Sequence, residues 1–267
     1  MGIPGRMLPP VVPLVALALA GAIVGGSGRD ALAGSERAPA TAAGLSPPAA
    51  GGRRALDPPP RPGPFGIDLY RGGDFVSQAT PDWCVAASML TMMNIVDEGA
   101  DHSTARQRRL YDLARTRSTW RLVGPGAEPE GWARGLDALG YGPYAVHVDD
   151  TRSGAIRTAA RALRMTGRPV GLLLWHGAHA WVMSGFEATA DPAYTDDFAV
   201  TALSVEDAWY PRISSVWGAS RPPDTLVPLE ALSEAYLPWR RPSVRYPEKD
   251  GLFVLVLPIA EAPARLR

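Results

Sequence analysis

The chain has 267 residues, with 27 basic side chains against 27 acidic ones, four histidines and a single cysteine. One cysteine excludes an internal disulfide and a Cys-rich zinc centre, and the balanced charge argues against nucleic acid as a main partner. Beyond the first thirty residues no run of 18 strongly apolar residues occurs, which excludes a polytopic membrane protein.

Residues 1–33 have the order of an export signal: Arg6 and the α-amino group, an apolar stretch from Val11 to Val24, then the small-x-small pattern Ala31-Leu32-Ala33. Cleavage there is expected, with an uncleaved N-terminal anchor as the alternative; the product is secreted in the first case and held at the cell envelope in the second. Residues 34–64 follow as a linker. Of these 31 residues 20 are Ala, Pro or Gly, too little apolar surface to offset the entropy of ordering them. Residues 65–267 remain for one domain, long enough for a sizeable core.

Within that domain, Thr80-Pro81-Asp82 reads as a helix start, with Thr80 at the N-cap and Pro81 at the first helical position. The helix is expected to reach Glu98 and stop at Gly99, with Val85, Met89, Met92, Met93 and Val96 as one buried stripe. A second, Arg-rich helix starts at Asp101-His102-Ser103 and ends near Arg117, with a solvated basic face. A third covers Pro129 to Leu139, and a fourth Thr151 to Thr166 with Gly167 as its stop. The period then changes. Val170 to Trp175 reads as a buried strand, followed by strands from His179 to Phe186, Ala199 to Val205 and Leu252 to Leu257, with a helix at 228–237 between the last two. His147, alternating with Val146 and Val148, marks a further short strand. Helices first and strands mostly later give an α+β fold, a helical lobe on an antiparallel sheet.

The cysteine carries the chemical question. Cys84 falls in the first turn of a helix, where unpaired N–H groups and the helix dipole favour a thiolate, the form that attacks carbonyl carbon. Gln78, six residues upstream, is placed to join the Cys84 N–H as an oxyanion donor. Among the histidines, His102 reads as a surface residue at a helix start, His147 as edge-facing, and His176 as a turn residue. His179 opens a strand through the core and is the best base. Asp207, directly after the strand ending at Val205-Glu206, is the best acid to orient it. Asp191, Asp196 and Asp197 read as hairpin-tip residues. Trp83 and Trp209 are candidates to wall a groove, and Trp175 reads as core.

These residues carry a resemblance. The string Gln78-Ala79-Thr80-Pro81-Asp82-Trp83-Cys84-Val85-Ala86-Ala87-Ser88, then Gly177-Ala178-His179, then Asp207-Ala208-Trp209, resembles the papain-like cysteine peptidases. It is most similar to the bacterial peptidases related to the double-glycine-leader (bacteriocin-processing) group. The order Gln, Cys, His, Asp and the Gln-to-Cys spacing of six match, as does Arg168-Pro169-Val170 ahead of the His strand. Val85 stands where the family often has Gly, and Ala208 where Pro usually follows the Asp. The resemblance implies a papain-like α+β fold with the Cys helix packed on the antiparallel sheet that bears the His and Asp. It implies Cys84 as nucleophile, His179 as general base and acid, Asp207 as orienter and Gln78 as oxyanion donor.

The function expected is an exported thiol hydrolase that cleaves amide bonds in a peptide or protein substrate, with no cofactor and no metal. Two alternatives stand beside it: a transglutaminase-like acyl transferase, and a non-catalytic cell-surface binding module on the same fold.

Overall fold

The computed structural model describes residues 63–122, 124–241 and 245–260; the expected export signal and nearly all of the linker lie outside them. A strand β1 (Phe65–Asp68) comes first, then helices α1 (Cys84–Asp97), α2 (Thr104–Thr116) and α3 (Pro129–Ala138). Strand β2 (Tyr144–Asp149) and helix α4 (Arg152–Thr166) lead into β3 (Val170–Leu174), β4 (His179–Ala188) and β5 (Val200–Asp207). A small hairpin β6 (Ile213–Ser214) and β7 (Gly218–Ala219), strand β8 (Thr225–Pro228), a single turn α5 (Leu229–Leu232) and β9 (Phe253–Pro258) complete the order. The fold is α+β, with helices packed on an antiparallel sheet.

Seven strands form that sheet in the order β2-β9-β3-β4-β5-β8, with β1 extending the line of β3 along β4. Its central strands are apolar on both faces because both are covered. Leu172, Leu174, Trp181, Met183, Leu203, Val205 and Leu255 pack with Ile156, Ala159 and Leu163 of α4. The intervening residues, Leu173, Ala180, Val182, Val254 and Val256, pack with α1, Leu110 of α2, and Trp132 and Leu136 of α3. Alternation along a strand with period two decides which helices each side chain meets. Gly171 is where α3 comes closest: a Cβ there would lie 2.6 Å from the Trp132 ring.

Several local signals act as read. Ser103 caps α2, its hydroxyl accepting from Arg106 N, and Thr151 caps α4 by accepting from Gly154 N. Gly167 ends α4 at φ 63. Three expectations are corrected. Helix α1 begins at Cys84 with Trp83 at its N-cap, not at Thr80; Thr80 and Pro81 form a turn whose carbonyls are taken by the Gln78 amide. Second, α1 is buried nearly all round, from Val85 to Ile95, because α2, α3 and β4 surround it, while Val96 is exposed. Third, the helix expected over 228–237 is the single turn α5. The Ala235 carbonyl accepts instead from the Trp175 N–H at 2.8 Å, which draws the segment onto the β3–β4 turn.

Candidate active site

Antiparallel pairing places the start of β4 and the end of β5 at one edge of the sheet, with Trp181 opposite Asp207. His179 is the first residue of β4 and Asp207 the last of β5, so two strand ends bring together residues 28 apart in sequence. The N-terminus of α1 reaches the same edge, fixed to β4 by the Ser88 hydroxyl donating to the Ala180 carbonyl. The preceding loop is clamped as well. Gln107 of α2 accepts from Ala79 N and donates to the Ser77 carbonyl, and Gln78 N donates to the Ala208 carbonyl beside Asp207. Cys84, His179, Asp207 and Gln78 thus sit on elements tied to one another near the chemistry.

His179 is 7% exposed and Asp207 1%. The His179 Nε2 and Asp207 Oδ1 are 2.8 Å apart, and Oδ1 also accepts from Trp209 N at 2.9 Å. Among the described residues the other carboxylate oxygen, Oδ2, is buried with no partner. The charge of Asp207 therefore falls chiefly on the imidazole. Burial, the largest single influence on His179, disfavours its cation. Asp207 and then Cys84 act the other way and prevail, so the imidazole is pushed up to about 9. With Nε2 committed to Asp207, the remaining ring nitrogen is the one available to the Cys84 sulfur.

Cys84 is half-buried and unpaired. The backbone N–H groups of Cys84, Val85 and Ala86 make no hydrogen bond among the described residues, the ordinary state of a helix's first turn. They form a donor set at the sulfur's own end of the helix. Gln78 is 1% exposed and donates both amide hydrogens, each at 2.8 Å, to the Thr80 and Pro81 carbonyls. Its Oε1 is buried without a partner. In this arrangement Gln78 shapes the turn that delivers Cys84, and donation to a substrate oxygen requires one of those bonds to be released.

A cleft of about 500 Å³ opens on Cys84 and His179. Leu122, Gly126, Leu173, Trp239, Arg241 and Tyr246 are among its walls. The Arg115 guanidinium holds the near wall by donating to the carbonyls of Leu122, Gly124 and Gly126. The Tyr246 hydroxyl donates to Glu128, which also accepts from Thr119 N and Trp120 N. Gly177, at φ 79, lets the β3–β4 turn pass under Trp239, where a Cβ would lie 2.3 Å from the indole.

The other histidines stand apart from the site. His102 bonds the Gly73 carbonyl at the surface, His147 pairs opposite Leu255 in β2, and His176 bonds the Pro238 carbonyl from the turn. Asp191 pairs with Arg164 and Asp196 with Arg161, in the β4–β5 connection. Trp209 meets His179 edge-on at 6.5 Å, whereas Trp83 packs on Tyr111 of α2. Trp175, read as core, is half-buried and lies flat on the His179 ring. The cleft residues Trp239, Arg241 and Tyr246 were missed by sequence reasoning; they lie in an irregular segment with no period or motif to mark them. Among the described residues no group of three or more His, Cys, Asp or Glu side chains is arranged to hold a metal ion. No family model and no curated protein matches this chain.

Proposed function

We propose that this protein is a thiol hydrolase of papain-like type that cleaves amide bonds in peptide or protein substrates. The observation that carries this reading is His179, held by the buried Asp207 carboxylate, lining the same cleft as Cys84. A cysteine beside a histidine that is itself oriented by a buried acid is the arrangement nucleophilic acyl transfer needs.

The reaction follows from these groups. The proton shared by Cys84 and His179 rests on the imidazole, where Asp207 stabilises it, and leaves the sulfur as the thiolate. The thiolate adds to the substrate carbonyl, and the developing oxyanion takes the Cys84 N–H, with Gln78 as second donor once it releases a backbone carbonyl. His179 then gives its proton to the leaving amine, which departs and leaves a thioester on Cys84. Water, deprotonated by His179, adds to the thioester and frees a carboxylate and the thiol. Burial of the His179–Asp207 pair keeps water from competing for their hydrogen bond.

The test is covalent labelling joined to product analysis. A peptide bearing a thiol-reactive group should modify Cys84, and Cys84→Ala and His179→Ala should each abolish turnover while the circular dichroism spectrum is unchanged. Mass spectrometry of the products should find a free carboxylate and a free amine. A new amide in their place would indicate acyl transfer, and turnover that survives Cys84→Ala would refute the reading.

A further inference from the structure

Trp175 and Trp217 form a stacked series with the histidine of the proposed site. The Trp175 indole lies flat on the His179 imidazole, with centroids 5.0 Å apart and planes 14° apart. Trp217 lies flat on Trp175, at 5.0 Å and 1°. Trp181 closes on Trp175 edge-on at 6.2 Å. Trp175 achieves this in an unfavourable backbone conformation, φ 50, continued by His176 at φ 60 and Gly177 at φ 79. A bulky residue in the left-handed region is rare and strained. Its N–H donation to the Ala235 carbonyl helps hold it there.

Trp217 belongs to the hairpin β6–β7, which follows closely after Asp207. The hairpin stands away from both cores: Ile213 is 76% exposed, Val216 73% and Trp217 40%. A hairpin of two-residue strands has little stability of its own. Its tip is shaped by the Ser214 hydroxyl, which accepts from Val216 N and Trp217 N, and its base by Ser220 bonding the Arg212 carbonyl. Large apolar side chains on an exposed hairpin, one of them stacked on the residue that covers the histidine, need a reason beyond core packing.

We propose that Trp175 is a positioning residue for His179, and that the β6–β7 hairpin keeps it in place through Trp217. The inference rests on the thiol-hydrolase reading and assigns the control of its histidine. A ring lying flat on the imidazole resists rotation away from the Asp207–Cys84 line and excludes water from that face. The electron-rich indole face also favours the imidazolium over the neutral ring. The titratable groups that meet His179 are Cys84 from α1 and Asp207 from β5. Cations near its surroundings are Arg212, over Trp209 at 5.2 Å, Arg221, over Trp181 at 5.9 Å, and Arg241, which donates to the Gly177 carbonyl and lines the same cleft.

The experiment is a histidine titration by NMR on the full protein, labelled at the imidazole carbons and assigned with His179→Ala. It is run on the native chain, Trp217→Ala, Trp217→Phe and Trp175→Ala. The native His179 should lose its proton near pH 9. Trp217→Ala should lower that midpoint by about half a pH unit, Trp175→Ala by about one, and Trp217→Phe should restore most of the loss. The melting temperature of Trp217→Ala should stay within about 2 °C of native, since Trp217 lies outside both cores. An unchanged His179 midpoint in Trp217→Ala overturns the inference, as does an equal fall in Trp217→Ala and Trp217→Phe. In either case the hydrolase reading survives if the native midpoint is high and Cys84 is selectively labelled. A native midpoint near the ordinary histidine value, with Cys84 inert, overturns both.

Discussion

Asp207→Asn removes the charge that holds His179 protonated, and it sets an amide NH2 where the buried Oδ2 has no partner among the described residues. Asparagine has the same size, and its carbonyl oxygen can still accept from the His179 Nε2–H and the Trp209 N–H. In the native protein burial opposes the imidazolium, and Asp207, then Cys84, overcome it to carry His179 from its ordinary 6.5 to about 9. That rise corresponds to about 3 kcal/mol in favour of the cation. At pH 7 the native ring is therefore about 99% protonated; at its ordinary value it would be about one quarter protonated, and with burial unopposed less. In the proposed reaction the imidazolium is both the ion partner of the thiolate and the acid that protonates the leaving amine. Turnover at pH 7 should fall by about tenfold to a hundredfold, and the alkaline limb of the kcat/KM profile should move from near pH 9 to about pH 6.5 or below. Stability reports on the same group. A histidine raised in the folded state contributes stability that is fully present below pH 6.5 and is lost as the pH rises through about 9. The melting temperature of Asp207→Asn should accordingly lie furthest below native at pH 6 and approach it above pH 9.5. A variant that keeps the native rate and an alkaline limb near pH 9 would show that Asp207 does not govern His179.

Three further outcomes are expected. Glu206, beside Asp207 but bonded to Ser184 and Asp224 N, is pushed up to about 8 by burial, against the pull of those two hydrogen bonds. Its contribution to stability is complete below its ordinary 4.5 and is lost as the pH rises through 8, so thermal melts of Glu206→Gln should decline less than native between pH 5 and pH 8.5; parallel curves would count against this. Gly177→Ala should destabilise the fold by about 2 kcal/mol or more, through its positive φ and the approach to Trp239. It should lower turnover by displacing His179, and a native urea midpoint would refute the geometry. Gln78→Ala should slow peptide turnover by about ten- to a hundredfold while Cys84 is alkylated at the native rate. If alkylation and stability fall together with turnover, Gln78 acts only by shaping the turn before α1.

Much of this site was legible because its signals are local. A Ser or Thr followed by a helical period fixes an N-cap through one hydrogen bond to an N–H three residues on, and Ser103 and Thr151 do so. A continuous apolar run bounded by Pro169 and a turn glycine leaves little choice but a buried strand, as in β3. Other elements lacked such a signal. β1 and β8 are four-residue strands that owe their pairing to β4 and β5, so nothing in Phe65–Asp68 or Thr225–Pro228 distinguishes them from loop.

The sequence by itself determined the chemical inventory: one thiol, four imidazoles, a glutamine six residues before the cysteine, and a histidine at the head of an apolar strand. Composition and local period suffice for that, because each depends on neighbours a few bonds away. Tertiary structure decided which of those groups meet. Antiparallel pairing of β4 with β5 put His179 beside Asp207, and that contact holds the imidazole protonated against the opposing effect of its burial. It also turned Gln78 inward onto two carbonyls and laid Trp175, which packs at the margin of the core, flat on the histidine. The His179–Asp207 contact joins distant segments, and its energy exists only once the sheet has formed and water has been excluded.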